Sequence, residues 1–266
     1  MVFYAKDRIV TTSDVQGGDN LFTMDVSSGA QSLAGFDSIR DAAELGVSIN
    51  RTYEASGGPS GQGAYRWDYI HDPAQQDAPN AWGGQFYYGW QVDTGSAPAQ
   101  GSVRYVRWRM KFSASTNFRS VSWDDGSTPS AFQNKLIIHA DGEASSRTII
   151  SYLSQDDQAT WDLIIGKGGG NEVLHTGLAK NTWYNMQVRI QSGSSAPATD
   201  AIYALWVNNN VFASPTESAT GFALETTGGD QWGVGYFSNH NISATGIVSW
   251  TITNVEIGPT FRTDWN

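Results

Sequence analysis

The sequence predicts an all-β protein built as a two-sheet antiparallel β-sandwich. Short apolar or alternating runs recur along most of its 266 residues with no helical pattern between them. Gly is abundant at 29 residues and gathers in clusters that punctuate those runs. The run from Arg104 to Phe112 alternates strictly, with Val106, Trp108, Met110 and Phe112 on one side and Tyr105, Arg107, Arg109 and Lys111 on the other. The first set can fill a core. The second predicts an exposed aromatic and cationic ridge.

Residues 1–40 are polar and Gly/Ser-rich and read as an extended N-terminal arm or loosely held first strands. Residues 41–266 read as a single domain, since no linker divides them. Ser38 to Leu45 is the one plausible helical turn, with Ser38 as N-cap. Strands are expected at 46–54, 64–71, 84–91, 103–112, 134–140, 147–153, 160–165, 172–176, 183–191, 201–207, 232–237 and 246–257. Between them lie Ser56-Gly57-Gly58-Pro59, Thr94 to Pro98, Asp124-Asp125-Gly126, Gly166 to Gly170 and Ser192 to Ser195, all turn chemistry.

Composition removes several classes. A hydrophobic content of 39% with 12% aromatics supports a real core. A formal charge of -10 argues against a nucleic-acid partner, which requires a basic footprint. No cysteine is present, so disulfides and thiolate-bound metals are excluded. No stretch approaches the ~18 apolar residues of a membrane span, and the first residues lack a signal-peptide core. Synthesis and retention in a cytoplasm are therefore expected, with secretion as the alternative. The sequons at Asn50 and Asn241 then carry little weight.

Several strands carry a resemblance. Asn181-Thr-Trp183-Tyr-Asn-Met-Gln-Val-Arg-Ile190, Ala201-Ile-Tyr-Ala-Leu-Trp-Val-Asn-Asn-Asn-Val-Phe212 and Ser249-Trp-Thr-Ile-Thr-Asn-Val-Glu-Ile-Gly-Pro259 resemble consecutive strands of concanavalin A-like jelly rolls. With Tyr105–Phe112 and Asn134–Ala140, the likeness spans roughly residues 45–260. It implies two large antiparallel sheets, in a fold shared by lectins, glycan hydrolases, polysaccharide lyases and viral surface proteins. Fold alone selects none of them.

β-Elimination on a uronate needs a group that neutralises the carboxylate, a base and an acid. If the cationic ridge is the binding face, Lys135 and His139 of the 134–140 strand would join Arg107 and Arg109. Asn185, Gln187 and Arg189 share a parity, and Tyr152 could supply a phenol. The Gln-Ile-His, Arg-x-Glu-x-Arg and Tyr-x-Lys-x-Gly-x-Tyr strands of alginate lyases are missing. Hydrolysis has less support: the dense acid pairs, Asp124-Asp125 and Asp156-Asp157, are adjacent residues that point apart, and Glu172 and Glu256 stand alone.

The four histidines, His71, His139, His175 and His240, show no metal-binding spacing. Asp124, Asp125, Asp141 and Glu143 could hold calcium in loops, although turn-forming Asp is the simpler role. No other cofactor is implied. Eleven Trp, with Trp82, Phe86, Tyr87, Tyr88 and Trp90 crowded beside Tyr65, Trp67 and Tyr69, suit a core or an interface better than a sugar platform.

The reading that unites these features is a non-enzymatic, lectin-like structural protein of a phage or virus particle, a capsid decoration or tail-associated component. Its partners would be other virion proteins, copies of itself and a host polysaccharide bound through Tyr105, Arg107, Arg109, Lys135, His139 and Arg189. The segment Phe261-Arg-Thr-Asp-Trp265-Asn looks suited to reaching neighbours. The alternative is a polysaccharide lyase.

Overall fold

The computed structural model describes residues 9–10, 22–26, 29–30, 47–71, 86–92, 100–116, 132–141, 149–155, 160–166, 173–195, 198–224, 231–232, 235–239 and 247–265, some of them by backbone alone. Sixteen strands run in chain order through these residues. They are β1 (Ile9–Val10), β2 (Phe22–Asp25), β3 (Val47–Glu54), β4 (Ala64–His71), β5 (Phe86–Val92), β6 (Val103–Phe112), β7 (Phe132–Asp141) and β8 (Ile149–Gln155), followed by β9 (Thr160–Gly166), β10 (Val173–Ala179), β11 (Tyr184–Gln191), β12 (Ala201–Val207), β13 (Glu217–Phe222), β14 (Gln231–Trp232), β15 (Gly235–Asn239) and β16 (Ile247–Gly258). No α-helix occurs among the described residues; the one helical element is a 3-10 turn at Pro59–Gly61. The helical turn expected at Ser38–Leu45 lies outside them.

An eight-stranded sheet has the order β13-β12-β11-β6-β16-β4-β3, with β2 also paired to β16. A five-stranded sheet runs β10-β9-β8-β7-β14, and a three-stranded one β1-β5-β15. Every pairing is antiparallel except that of β1 with β5. The all-β sandwich expected from the sequence is what the chain forms. Strand β13 escaped the sequence reading because, in Glu-Ser-Ala-Thr-Gly-Phe, only Phe222 is buried. It is a polar edge strand with no alternating apolar signal.

Alternation decides the core. In β6 the set Val106, Trp108, Met110 and Phe112 is at most 1% exposed. Directly opposite on β11 stand Tyr184, Met186 and Val188, and on β16 Trp250, Ile252, Val255 and Ile257, also buried. The second sheet closes over them through β9: the Trp161 ring meets Phe112 edge-on at 5.1 Å and Tyr184 at 5.8 Å. Each fully buried side chain of this size contributes about 1.5–3 kcal/mol.

One irregularity in β16 matters for function. Met110 and Trp108, two residues apart on β6, face Ile252 and Val255, three apart on β16. The extra residue is a β-bulge, which resets the parity of the strand. Thr253 drops into it, fully buried, and its hydroxyl donates to the Gly63 carbonyl at 2.8 Å. Beyond the bulge Val255 and Ile257 return to the core, so Glu256 is delivered to the outer face opposite Arg107.

Candidate functional site

The outer face of the eight-stranded sheet, turned away from β9, gathers the chemistry. Register places Arg107 between Gln187 of β11 and Glu256 of β16, Arg109 opposite Asn185, and Lys111 opposite Thr251. Thr251 in turn faces Arg66 of β4. Tyr105 faces Arg189. Two parts of this face differ sharply in exposure.

The first part is sealed. After β16 the chain turns at Pro259 and lies back across its own sheet as a strap, Thr260–Trp265. Arg107, with no exposure at all, donates from Nε to Gln187 Oε1 at 3.1 Å, from Nη1 to Glu256 Oε2 at 3.2 Å, and from Nη2 to the Thr260 carbonyl. Gln187 Nε2 donates to the Arg262 carbonyl at 2.8 Å, and the Arg262 N–H donates back to Gln187 Oε1 at 3.2 Å. Asn210 Nδ2 donates to the Trp265 carbonyl at 2.8 Å. Arg262 bridges Glu256 at 3.4 Å and Asp264 at 2.6 Å.

Aromatic rings complete the seal. Phe261 sits 4.8 Å from Trp206 and 5.9 Å from Tyr105, and Phe212 packs on both Trp206 and Phe261. The Trp265 ring covers Arg109, 4.6 Å from its guanidinium carbon. Burial pushes Arg107 down to about 10, against an opposing pull from Glu256, so it remains a cation at neutral pH. Burial also lowers Arg109, offset in part by the through-space charges of Glu256 and Asp25.

The second part is half-open to water. The Lys111 ammonium lies over the ring of half-buried Trp183, 5.4 Å from its centroid. Across Thr251, Arg66 is forked between Glu54 and Asp68, with Nε to Asp68 Oδ2 at 3.0 Å. Asp68 also accepts from the Ser249 hydroxyl at 2.6 Å. A ring, an ammonium, a guanidinium and two carboxylates therefore lie along one row of the sheet, beside Asn185. Such a row can stack a sugar and bond its hydroxyls, with Lys111 free to meet an acid group.

These positions correct the expected binding face in three ways. Tyr105, Arg107 and Arg109 do point outward, and Arg189 joins them opposite Tyr105, but the first three are buried under the strap rather than forming an open ridge. Lys135 and His139 lie on β7 of the five-stranded sheet, so they do not share a face with Arg107; their side chains, like that of Tyr152, fall outside the described residues. The Phe261–Trp265 segment, expected to extend outward, folds onto its own sheet.

The sequence reading missed Trp183, Arg66 and Asp68 as site residues, and placed Lys111 on the right face without selecting it. The Arg-x-Asp alternation at 66–68 was the available signal. Glu256 looked like a lone strand acid because its partner, Arg107, is 149 residues away. Among the described residues no group of His, Asp and Glu is arranged to hold a metal; Asp124, Asp125 and Glu143 lie outside them.

Solved structures with similar folds identify the architecture. An endo-β-1,4-glucuronan lyase from the fungus Trichoderma reesei matches over 93% of this chain and 100% of its own, with a TM-score of 0.55 and 12% identity. The chain has a concanavalin A-like jelly-roll fold. Other jelly rolls similar to it are alginate lyase vAL-1 from Chlorella virus (82% and 94% covered, TM-score 0.45, 10% identity) and the CBM2 module of the Lactobacillus casei BL23 phage J-1 evolved Dit (92% and 96%, 0.34, 10%). No family model and no curated protein matches the sequence.

Proposed function

We propose that the protein acts on an acidic polysaccharide held along the open row of its outer face, and that its reaction is β-elimination at a uronate. The observation that carries the ligand class is the Lys111 ammonium beside the Trp183 ring, an anion partner and a stacking plane side by side. Arg66, Asp68 and Asn185 extend the row with hydroxyl-binding groups. The reaction is favoured because the glucuronan lyase matches from end to end rather than over one module.

A second reading, binding without cleavage, is supported by a different observation. The central guanidiniums are occupied by the strap, and no imidazole or exposed phenol stands on this face among the described residues. That reading keeps the virion-borne, lectin-like role as its setting.

One experiment separates them. The protein is incubated with polyglucuronate, with alginate and with neutral glucan, and binding and ultraviolet absorbance of unsaturated chain ends are followed together. Unsaturated product from an acidic polymer supports the lyase. Binding that is lost in Lys111→Ala, with no product, supports the non-enzymatic role, and equal affinity for neutral glucan overturns both.

A further inference from the structure

Two guanidiniums sit two residues apart on the same face of β6, and they are treated oppositely. Arg107 has a carboxylate, an amide oxygen and a backbone carbonyl. Arg109 is only 7% exposed, yet it makes no hydrogen bond or ion pair among the described residues, and its Nε is buried without any partner. Its one contact of note is the face of Trp265. Glu256 and Asp25 act on it only through space, and a buried cation with no hydrogen-bonded anion is costly to keep.

The cover is peculiar in the same way. Trp265 is itself 3% exposed and its Nε1 has no acceptor. It is held by what surrounds it, through Asn210 on its carbonyl and through Gln187 and Arg107 on the strap behind it. A ring whose own donor is unsatisfied, resting on a guanidinium whose Nε is unsatisfied, is a contact that a better ligand can replace. Lys111 follows Arg109 on the same face, about 6.8 Å further along the strand.

We infer that Arg109 is an anion subsite, built for the carboxylate of an acidic sugar and closed in the free protein by Trp265. This deepens the proposed function, on which it rests. When the glycan arrives, its carboxylate takes the Arg109 guanidinium in charge-assisted hydrogen bonds, and the Trp265 indole swings away with the end of the strap. Lys111 and Trp183 then hold the neighbouring sugar unit. The strap thereby sets a threshold: only a ligand with an acid group in register displaces it.

The test combines stability with affinity. Without ligand, Arg109→Met melts at a higher temperature than the wild-type protein, because a buried charge with no hydrogen-bonded partner is removed, whereas Arg107→Met melts lower. A fall in melting temperature for Arg109→Met like that of Arg107→Met overturns the inference. Trp265→Ala binds polyglucuronate about tenfold tighter, and the gain vanishes in the Trp265→Ala, Arg109→Gln double variant. A gain that survives in the double variant, or no gain in a folded Trp265→Ala protein, overturns it too. Should Trp265→Ala not fold, Arg109→Gln in the wild-type background must weaken polyglucuronate binding, and unchanged binding overturns the subsite. Lys111→Ala run in parallel reports on the open row alone, so a failure there is read separately.

Discussion

Arg107 and Lys111 leave the same strand on the same side, four residues apart, and end in different worlds. One is locked beneath a strap by hydrogen bonds to β11, to β16 and to the strap itself; the other leans on Trp183 at the water's edge. Parity assigned both to the outer face. What separates them is coverage, supplied by the return of the chain after β16 and by the bulge at Thr253 that turns Glu256 toward Arg107. The contrast teaches that a cationic stripe on a strand is a binding surface only where nothing else in the fold needs its donors.

The contrast can be broken most forcefully at Arg107. Replacing it by Ala takes from half-buried Glu256 the nearer of its two arginines, leaving Arg262 at 3.4 Å, and loosens Gln187 and the strap. We expect a loss of about 3–5 kcal/mol in urea unfolding. A loss below about 1 kcal/mol would mean that the sealed end is ornamental. Lys111→Ala, on the same face, is expected to change stability by no more than about 0.5 kcal/mol.

Affinity should reverse that order. Trp183→Ala and Lys111→Ala are each expected to weaken polyglucuronate binding about tenfold, or about 1.4 kcal/mol, by calorimetry. Because the Lys111 contribution is made at a half-buried site still reached by solvent, raising the salt from 0.1 M toward 1 M, where the screening length shrinks from about 10 to about 3 Å, should remove much of it. Salt-independent binding would transfer the recognition to stacking alone.

The smallest effect concerns acid. Hydrogen bonding from Arg262 holds the Asp264 carboxyl below its ordinary value. A depressed acid stabilises the folded state above the unfolded value near 4 and loses that contribution as pH falls through the folded value. The strap should therefore loosen slightly below pH about 4, seen as faster amide exchange at residues 260–265 with the core unchanged. Asp264→Asn should show the loosened strap at every pH and no acid step.

Much of the fold was readable in the sequence. The strands at 64–71, 103–112 and 201–207 coincide with their expected bounds, because each combines alternation with a turn cluster at its end. The core half of β6 was likewise visible, since Val106, Trp108, Met110 and Phe112 differ so plainly from their neighbours. The site was legible only in part. Tyr105, Arg107, Arg109, Lys111, Asn185, Gln187 and Arg189 were assignable to shared faces by parity. Lys135 and His139 were not, since sequence order does not say which sheet a strand joins.

By itself, then, the order of residues determined that the chain is made of strands, where most of them begin and end, and which side chains of β6 travel together. Those are local matters, settled by the two-residue period of an extended backbone and by glycine-rich turns. Tertiary structure alone decided which cations are buried, which acid meets which guanidinium and where the strap lies. Such outcomes depend on contacts between residues far apart in the chain, Arg107 with Glu256 and Arg109 with Trp265, and no local pattern encodes them.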